Sequence, residues 1–173
     1  GGNIDMTANS LFLRDGVVIT TDVNGVVGGG DININANSNI ELTGESLLGL
    51  TSIIRSDVLE EATGDGGNLN IETQNLIIRN GGRFSVNTRG NGNGGELKIT
   101  ACGIELNGSS SNQNRSGFFA RANTGSTGNG GNLSIETENL NIRNGARISV
   151  STFSKGNSGE VDIIAENIEL SGI

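Results

Sequence analysis

Apolar and polar residues alternate along this chain in short runs. In "GGNLNIETQNLIIRNGGRFSV", residues 66–86, Leu69, Ile71 and Thr73 fall on one side, then Leu76 and Ile78, then Phe84 and Val86. A period of two is that of a half-buried strand. A helix would need apolar residues three and four apart, and these runs do not offer them. The pattern predicts three short strands joined by three corners, and no helix longer than a turn or two anywhere.

The same run then recurs. Residues 66–88 and 130–152 agree at 17 of 23 positions, at an offset of 64 residues. Gly-Gly pairs at Gly1-Gly2, Gly29-Gly30, Gly66-Gly67, Gly94-Gly95 and Gly130-Gly131, with Ser158-Gly159 in the same role, are spaced 28, 37, 28, 36 and 28 residues apart. Short and long units therefore alternate, with a period in the range that marks a solenoid, propeller or array. Where the units differ, they differ by rule. Leu69 is matched by Ile4, Ile32, Leu97, Leu133 and Val161; Ile71 by Met6, Ile34, Ile99, Ile135 and Ile163; Leu76 by Leu11, Ile40, Ile104, Leu140 and Ile168. Outward positions drift in polarity: Asn70 corresponds to Asp5 and Ser134, and Ile77 to Phe12 and Asn141. One position meets one environment in every unit, as it does when coils stack in register.

The expected fold is an all-β parallel β-helix, or β-solenoid, with alternating short (28-residue) and long (36–37-residue) coils. Residues 1–173 read as one solenoid segment of about five coils plus a partial one, an internal piece of a longer chain. The extra residues of the long units fall in Glu45–Asp65 and Ser109–Asn129, where a loop should protrude from every second coil before the chain returns near "IIRSDV" and "FFARAN". "RDG" at Arg14–Gly16 and "RNG" at Arg79–Gly81 and Arg143–Gly145 form one corner, since Asn and Asp tolerate a left-handed backbone and Gly prefers it. A single coil buries too little apolar surface to offset the ordering of its backbone, so only stacking stabilises it.

Composition changes the picture mainly by exclusion. There are 29 Gly but no Pro, Trp, Tyr or His, and the net charge is −8. An acidic chain argues against a nucleic-acid partner or a bare anionic membrane, both of which need clustered Lys and Arg. No run is long and apolar enough to span a membrane, and "GGNIDMTANS" has neither the basic start nor the apolar core of a signal peptide. The single cysteine, Cys102, forms no intrachain disulfide, has no His to activate it, and reads as a small residue at a corner. "GNGNGG", residues 90–95, looks like a phosphate-cradling loop, but a strand follows it where such a loop needs a helix.

"GGNLSIETENLNIRNGARISVSTFSKGNSGEVDIIAENIELSG" and "SGFFARANTGSTGNGGNLSI" closely resemble the repeats of cyanobacterial filamentous haemagglutinin-type exoproteins. The resemblance covers essentially all of the chain. It implies a right-handed parallel β-helix, two-partner secretion through an outer-membrane transporter, and an extracellular or cell-surface location. It carries no catalytic motif.

The expected function is that of a structural rod or stalk segment of a secreted or surface-displayed protein, adhesin-like or sheath-like, without catalysis. No catalytic, cofactor-binding or metal site is assigned. The expected partners are further coils of the same parent chain or neighbouring copies, stacked end to end, and a cell-surface or matrix polysaccharide. One alternative is a polysaccharide lyase or hydrolase. It would need paired carboxylates, for which the candidates are Glu41, Glu105 and Glu169, one outward column on alternate coils, and the unpartnered Glu60-Glu61. Another is ligand binding by a repeating face. The threonines Thr20, Thr21, Thr88 and Thr152 are scattered, and Asp31 and Asp65 lack the nonapeptide calcium repeat. Glu105, on the coil between those of Arg79 and Arg143, should join them in a surface charge ladder.

Overall fold

A computed structural model describes residues 1–172. Eleven strands alternate long and short: β1 (Ile4–Arg14), β2 (Val18–Thr20), β3 (Ile32–Thr43), β4 (Ile53–Arg55), β5 (Leu69–Arg79), β6 (Arg83–Ser85), β7 (Glu96–Asn107), β8 (Gly117–Ala122), β9 (Asn132–Arg143), β10 (Arg147–Thr152) and β11 (Val161–Ser171). The long strands form one sheet in the order β1-β3-β5-β7-β9-β11, and the short ones a second in the order β2-β4-β6-β8-β10. Every strand pair is parallel. The chain thus winds as a parallel β-solenoid, and at the usual strand spacing the six layers make a rod roughly 25 Å long.

The register is the one the apolar columns require. Ile32, Leu69, Leu97, Leu133 and Val161 pair in succession, as do Ile40, Leu76, Ile104, Leu140 and Ile168. Except for Val161 and Ile168 of the last layer, which are exposed, these inward positions form one continuous core, with Ile54, Phe84 and Phe118 supplied from the short-strand sheet. Phe84 and Phe118, on adjacent coils, stack with ring centroids 5.7 Å apart and planes 11° from parallel.

The three-strand coil is altered in one respect. The first two predicted strands are a single long strand with a bend, at which β3 carries one extra residue and its register with β1 and β5 shifts, and the third face beyond the short sheet shrinks to a line of bridges, Val23–Val58–Thr88–Ala122. The bend survives because side chains serve its carbonyls. Thr137 Oγ1 lies 3.1 Å from the Cys102 carbonyl oxygen and 3.3 Å from that of Asn139, and Thr73 occupies the matching place two coils below.

The long coils differ where expected. Ten residues, 43–52, separate the core residue Leu42 from Ile53 at the start of β4, where four, 79–82, separate Ile78 and Arg83 in the next coil. The additional residues form a small hairpin closed at Glu45–Thr51, repeated two coils on at Ser109–Arg115. The short coils turn this corner on left-handed residues: Asp15, Asn80 and Asn144 have φ of 56°, 50° and 54°. Ser52 and Ser116, at the base of each hairpin, accept from the backbone N–H of Gly16 and Gly81 in the neighbouring short coil, at 3.3 and 3.0 Å. The two kinds of coil are therefore keyed to each other.

Asparagine and aspartate run along the rod as ladders. Asn93 N–H donates to Asp65 Oδ1, Asn129 N–H to Asn93 Oδ1 and Asn157 N–H to Asn129 Oδ1, at 2.7–3.0 Å. A second ladder runs Asn3–Asp31–Asn68–Glu96. Each of these acceptors satisfies a backbone donor of the next coil just before or at the start of a long strand.

Candidate functional site

Three outer features carry polar chemistry. The first is the glutamate column. Glu41, Glu105 and Glu169 occupy one register position on alternate coils, with Ile77 and Asn141 between them. Glu105 sits between Arg79 Nε at 4.0 Å and Arg143 at 3.9 Å, and Arg14 approaches Glu41 at 4.0 Å. This is the expected ladder, and its carboxylates face guanidinium groups rather than each other. Glu105→Gln should leave the melting temperature within a few degrees at moderate salt, because pairs this open contribute about 0–1 kcal/mol. A larger fall in a thermal melt would mean the carboxylate is shared more deeply than its exposure indicates.

The second is a groove over the bend of the long strands, lined by Glu72, Cys102, Glu136, Glu138 and Glu166. Cys102 is free and exposed at that corner. Among the described residues no three His, Cys, Asp or Glu side chains converge as metal ligands. Glu60 and Glu61 are exposed in the loop beyond β4, Glu61 with φ of 65°.

The third is a cleft of about 340 Å³ on the outer face of the short-strand sheet. Six of the nine arginines line it: Arg55, Arg83, Arg89, Arg115, Arg121 and Arg147. The other three, Arg14, Arg79 and Arg143, belong to the glutamate ladder. The register explains the clustering. Outward positions on successive short strands are Ile53, Arg83, Gly117 and Arg147 in one row, and Arg55, Ser85, Phe119 and Ser149 in the next. Arg121 follows on β8. Its guanidinium covers the Phe119 ring at 4.3 Å from the centroid, and Phe119 is only 6 % exposed despite facing out.

Neighbours hold these guanidinium groups in place. Arg121 Nε donates to Ser149 Oγ at 3.1 Å, Arg83 to Asn114 Oδ1 at 3.4 Å and Arg115 to the Gly145 carbonyl at 2.7 Å. Asn114 and Arg115 come from the hairpin of the long coil, so that insertion forms one wall of the cleft. The hairpins also touch each other across the intervening short coil. Glu45 Oε2 accepts from Ser111 N–H at 2.9 Å, and hydrogen bonds from Ser111 hold the Glu45 carboxyl below its ordinary range.

Electrostatically the cleft is unbalanced. Arg55 pairs with Asp22 at 2.7 Å, whereas Arg83, Arg89, Arg115, Arg121 and Arg147 have no carboxylate within ion-pair distance among the described residues. Burial lowers the affinity of Arg121 for its proton, and the charges of Arg147 and Arg83 lower it further. Burial does the same to Arg83, partly offset by Asp57. Asp57, the only carboxylate lining the cleft among the described residues, is 2 % exposed. Burial pushes its carboxyl above the ordinary range, against hydrogen bonds from the Ser85 hydroxyl and the Asn87 N–H. A raised carboxyl favours folding most in acid, and that contribution fades as pH rises through the folded value.

Sequence reasoning placed the glutamate ladder and missed this cleft. A signal was present: Arg83 and Arg147 occupy the same position in the two most similar units. The net charge of −8 concealed it, because a sum over the chain says nothing about which residues the coil brings together. Comparison with family models, with curated proteins and with solved structures finds no match.

Proposed function

We propose that this chain is a rod-forming segment of a secreted or surface-displayed protein, with an adhesin-like or sheath-like role and no catalysis. The observation that supports it is the in-register stacking of alternating coils through a continuous core and continuous side-chain ladders. Such a body gains length by adding coils and has little else to vary, which is the property a spacer needs. The secreted location rests on the resemblance of the repeats to those of filamentous haemagglutinin-type exoproteins. The partner assigned to the rod is more of the same. Every strand between β1 and β11 in the long-strand sheet pairs in parallel with a neighbour on both sides, so a coil added in register continues the same ladders and apolar columns. Those coils belong to the same parent chain or to a neighbouring copy.

Small-angle scattering tests this directly. Duplicating residues 66–129, one short and one long coil, should lengthen the particle by about 10 Å at unchanged cross-section. Over a concentration series the unmodified chain should associate end to end, and polar caps designed onto both ends should leave a monomer. A duplicated chain that grows in width, or a bare chain that stays monomeric at high concentration, would overturn the rod reading.

A further inference from the structure

The arginine-lined cleft is not needed by a rod. Stacked coils could present any polar residue there, and a cluster of like charges opposes folding. The row through Ile53, Arg83, Gly117 and Arg147 shows what the cluster is shaped for. Arg83 and Arg147 stand two strands apart, so their backbones are roughly 9–10 Å from each other. The strand between them carries Gly117, which puts no side chain into the gap. A Cβ there would lie against the Arg147 carbonyl oxygen, and φ is +142°, so the backbone admits glycine and little else. The result is a gap between Arg83 and Arg147 that the intervening strand leaves free of a side chain, with Arg121 of that same strand lining the cleft beside them.

From this geometry we infer that the cleft is a binding site for a single sulfate- or phosphate-type oxyanion, free or esterified to a small sugar, held by Arg83, Arg121 and Arg147. Charge-assisted hydrogen bonds of about 2.8 Å to each guanidinium would fill most of the gap, and arginine presents the planar donor fork that such oxygens accept. Arg83 and Arg121 are pre-positioned by Asn114 and Ser149, so the ordering that opposes binding falls mainly on the exposed Arg147. One anion would also offset the charges of Arg147 and Arg83, which add to the effect of burial in lowering the proton affinity of Arg121. The class of ligand follows from scale. The cleft spans a few coils, and the remainder of the chain is acidic enough to give a net charge of −8, which repels an extended polyanion while leaving a compact group attracted locally. Asn87 and Asn123 on the rim offer amide partners to sugar hydroxyls. The site does not depend on the rod's being secreted or being a spacer.

Isothermal titration of the whole chain tests the inference, at constant ionic strength and at millimolar anion or below, where general salt effects on stability are small. The probes are inorganic sulfate, inorganic phosphate, glucose 6-sulfate, glucose 6-phosphate and a sulfated polysaccharide, with chloride as the reference. Saturable one-to-one binding of the compact oxyanions is expected. Arg147→Gln and Arg83→Gln should each weaken it about tenfold or more, as losing a charged hydrogen bond does. Arg79→Gln, in the glutamate ladder, should leave it unchanged. Tighter binding of the sugar esters than of the free ions would identify the esterified source. Because Arg147 is exposed, its variant should fold even if the Arg83 variant does not. Without anion it should melt slightly higher than the parent, since one repelling charge is gone. No saturable binding up to the millimolar limit of the titration, binding equally weakened by Arg79→Gln, or binding only of the long polymer would each overturn the proposal.

Discussion

Gly95→Ala should lower the melting temperature by about 6–12 °C or abolish the cooperative transition, whereas Gly25→Ala should be nearly silent. A Cβ built on Gly95 would lie 2.1 Å from the Gly67 carbonyl oxygen and 2.7 Å from its carbon. Both are backbone atoms of the coil below, so no side chain can swing aside to make room. The same contact recurs along the rod: Gly30 meets Gly2, Gly67 meets Gly30, Gly131 meets Gly95 and Gly159 meets Gly131, at 2.0–2.2 Å. The only relief is for two coils to separate at that edge, which stretches the ladder between β5 and β7. Overpacking of this kind costs about 1–3 kcal/mol, and with no flexible neighbour the upper end applies. For a chain of this size that is about 6–12 °C. Gly25 has no atom within 4 Å of the equivalent point and no unusual φ, so its variant controls for glycine's effect on the unfolded chain. Thermal melts followed by far-UV circular dichroism compare the two. Equal melting temperatures would show that the coils can slide apart at the Gly95 edge without cost.

That glycine column also shows where the sequence could and could not be read. The Gly-Gly pairs marked the period correctly, and the Asn-Gly corners were assigned for the right reason, since Asn80 and Gly81 do take positive φ. The second glycine of each pair has a different reason. It is there because the next coil's backbone passes too close for any side chain, a contact between residues 28 or 36–37 apart in sequence. Apolar columns were legible because each residue's fate depends on its own polarity and a two-residue period. The bend at Thr73 and Thr137 was read as a break between strands, because local sequence does not reveal that a threonine hydroxyl will serve a carbonyl of another coil. The glutamate ladder was legible because "IEL" recurs unchanged in Ile40–Leu42, Ile104–Leu106 and Ile168–Leu170. The arginine cleft combines Arg83, Gly117 and Arg147, of which the middle member comes from a long coil whose numbering is displaced by its hairpin. Only the register brings them into one row.

Phe118→Ala should cost about 3–5 kcal/mol, the usual range for emptying a buried phenylalanine site, and the damage should be confined to the middle of the rod. Phe118 is fully buried and stacks on Phe84, which is also fully buried. The inward column they share holds Ile54 on one side and Ile148 on the other, so the aromatic pair is the bulkiest layer of the core at that height. Removing one ring leaves a cavity bounded by rigid parallel strands that cannot collapse across the hydrogen-bonded spacing. The lost stacking adds about 0.5–1.5 kcal/mol to the simple loss of area, so Phe84→Leu and Phe118→Leu combined should be less harmful than the sum of the singles by about that amount. The coupling belongs to neighbouring coils, and in a solenoid stability is carried from neighbour to neighbour. A central defect should therefore loosen coils three and four before it affects the ends. Hydrogen exchange can see this: amides of β6 and β8 should lose protection first in Phe118→Ala, while those of β3 and β9 keep more of theirs. Uniform loss of protection along the whole chain would show that the rod unfolds as one unit, and that its coils are coupled more tightly than nearest-neighbour stacking provides.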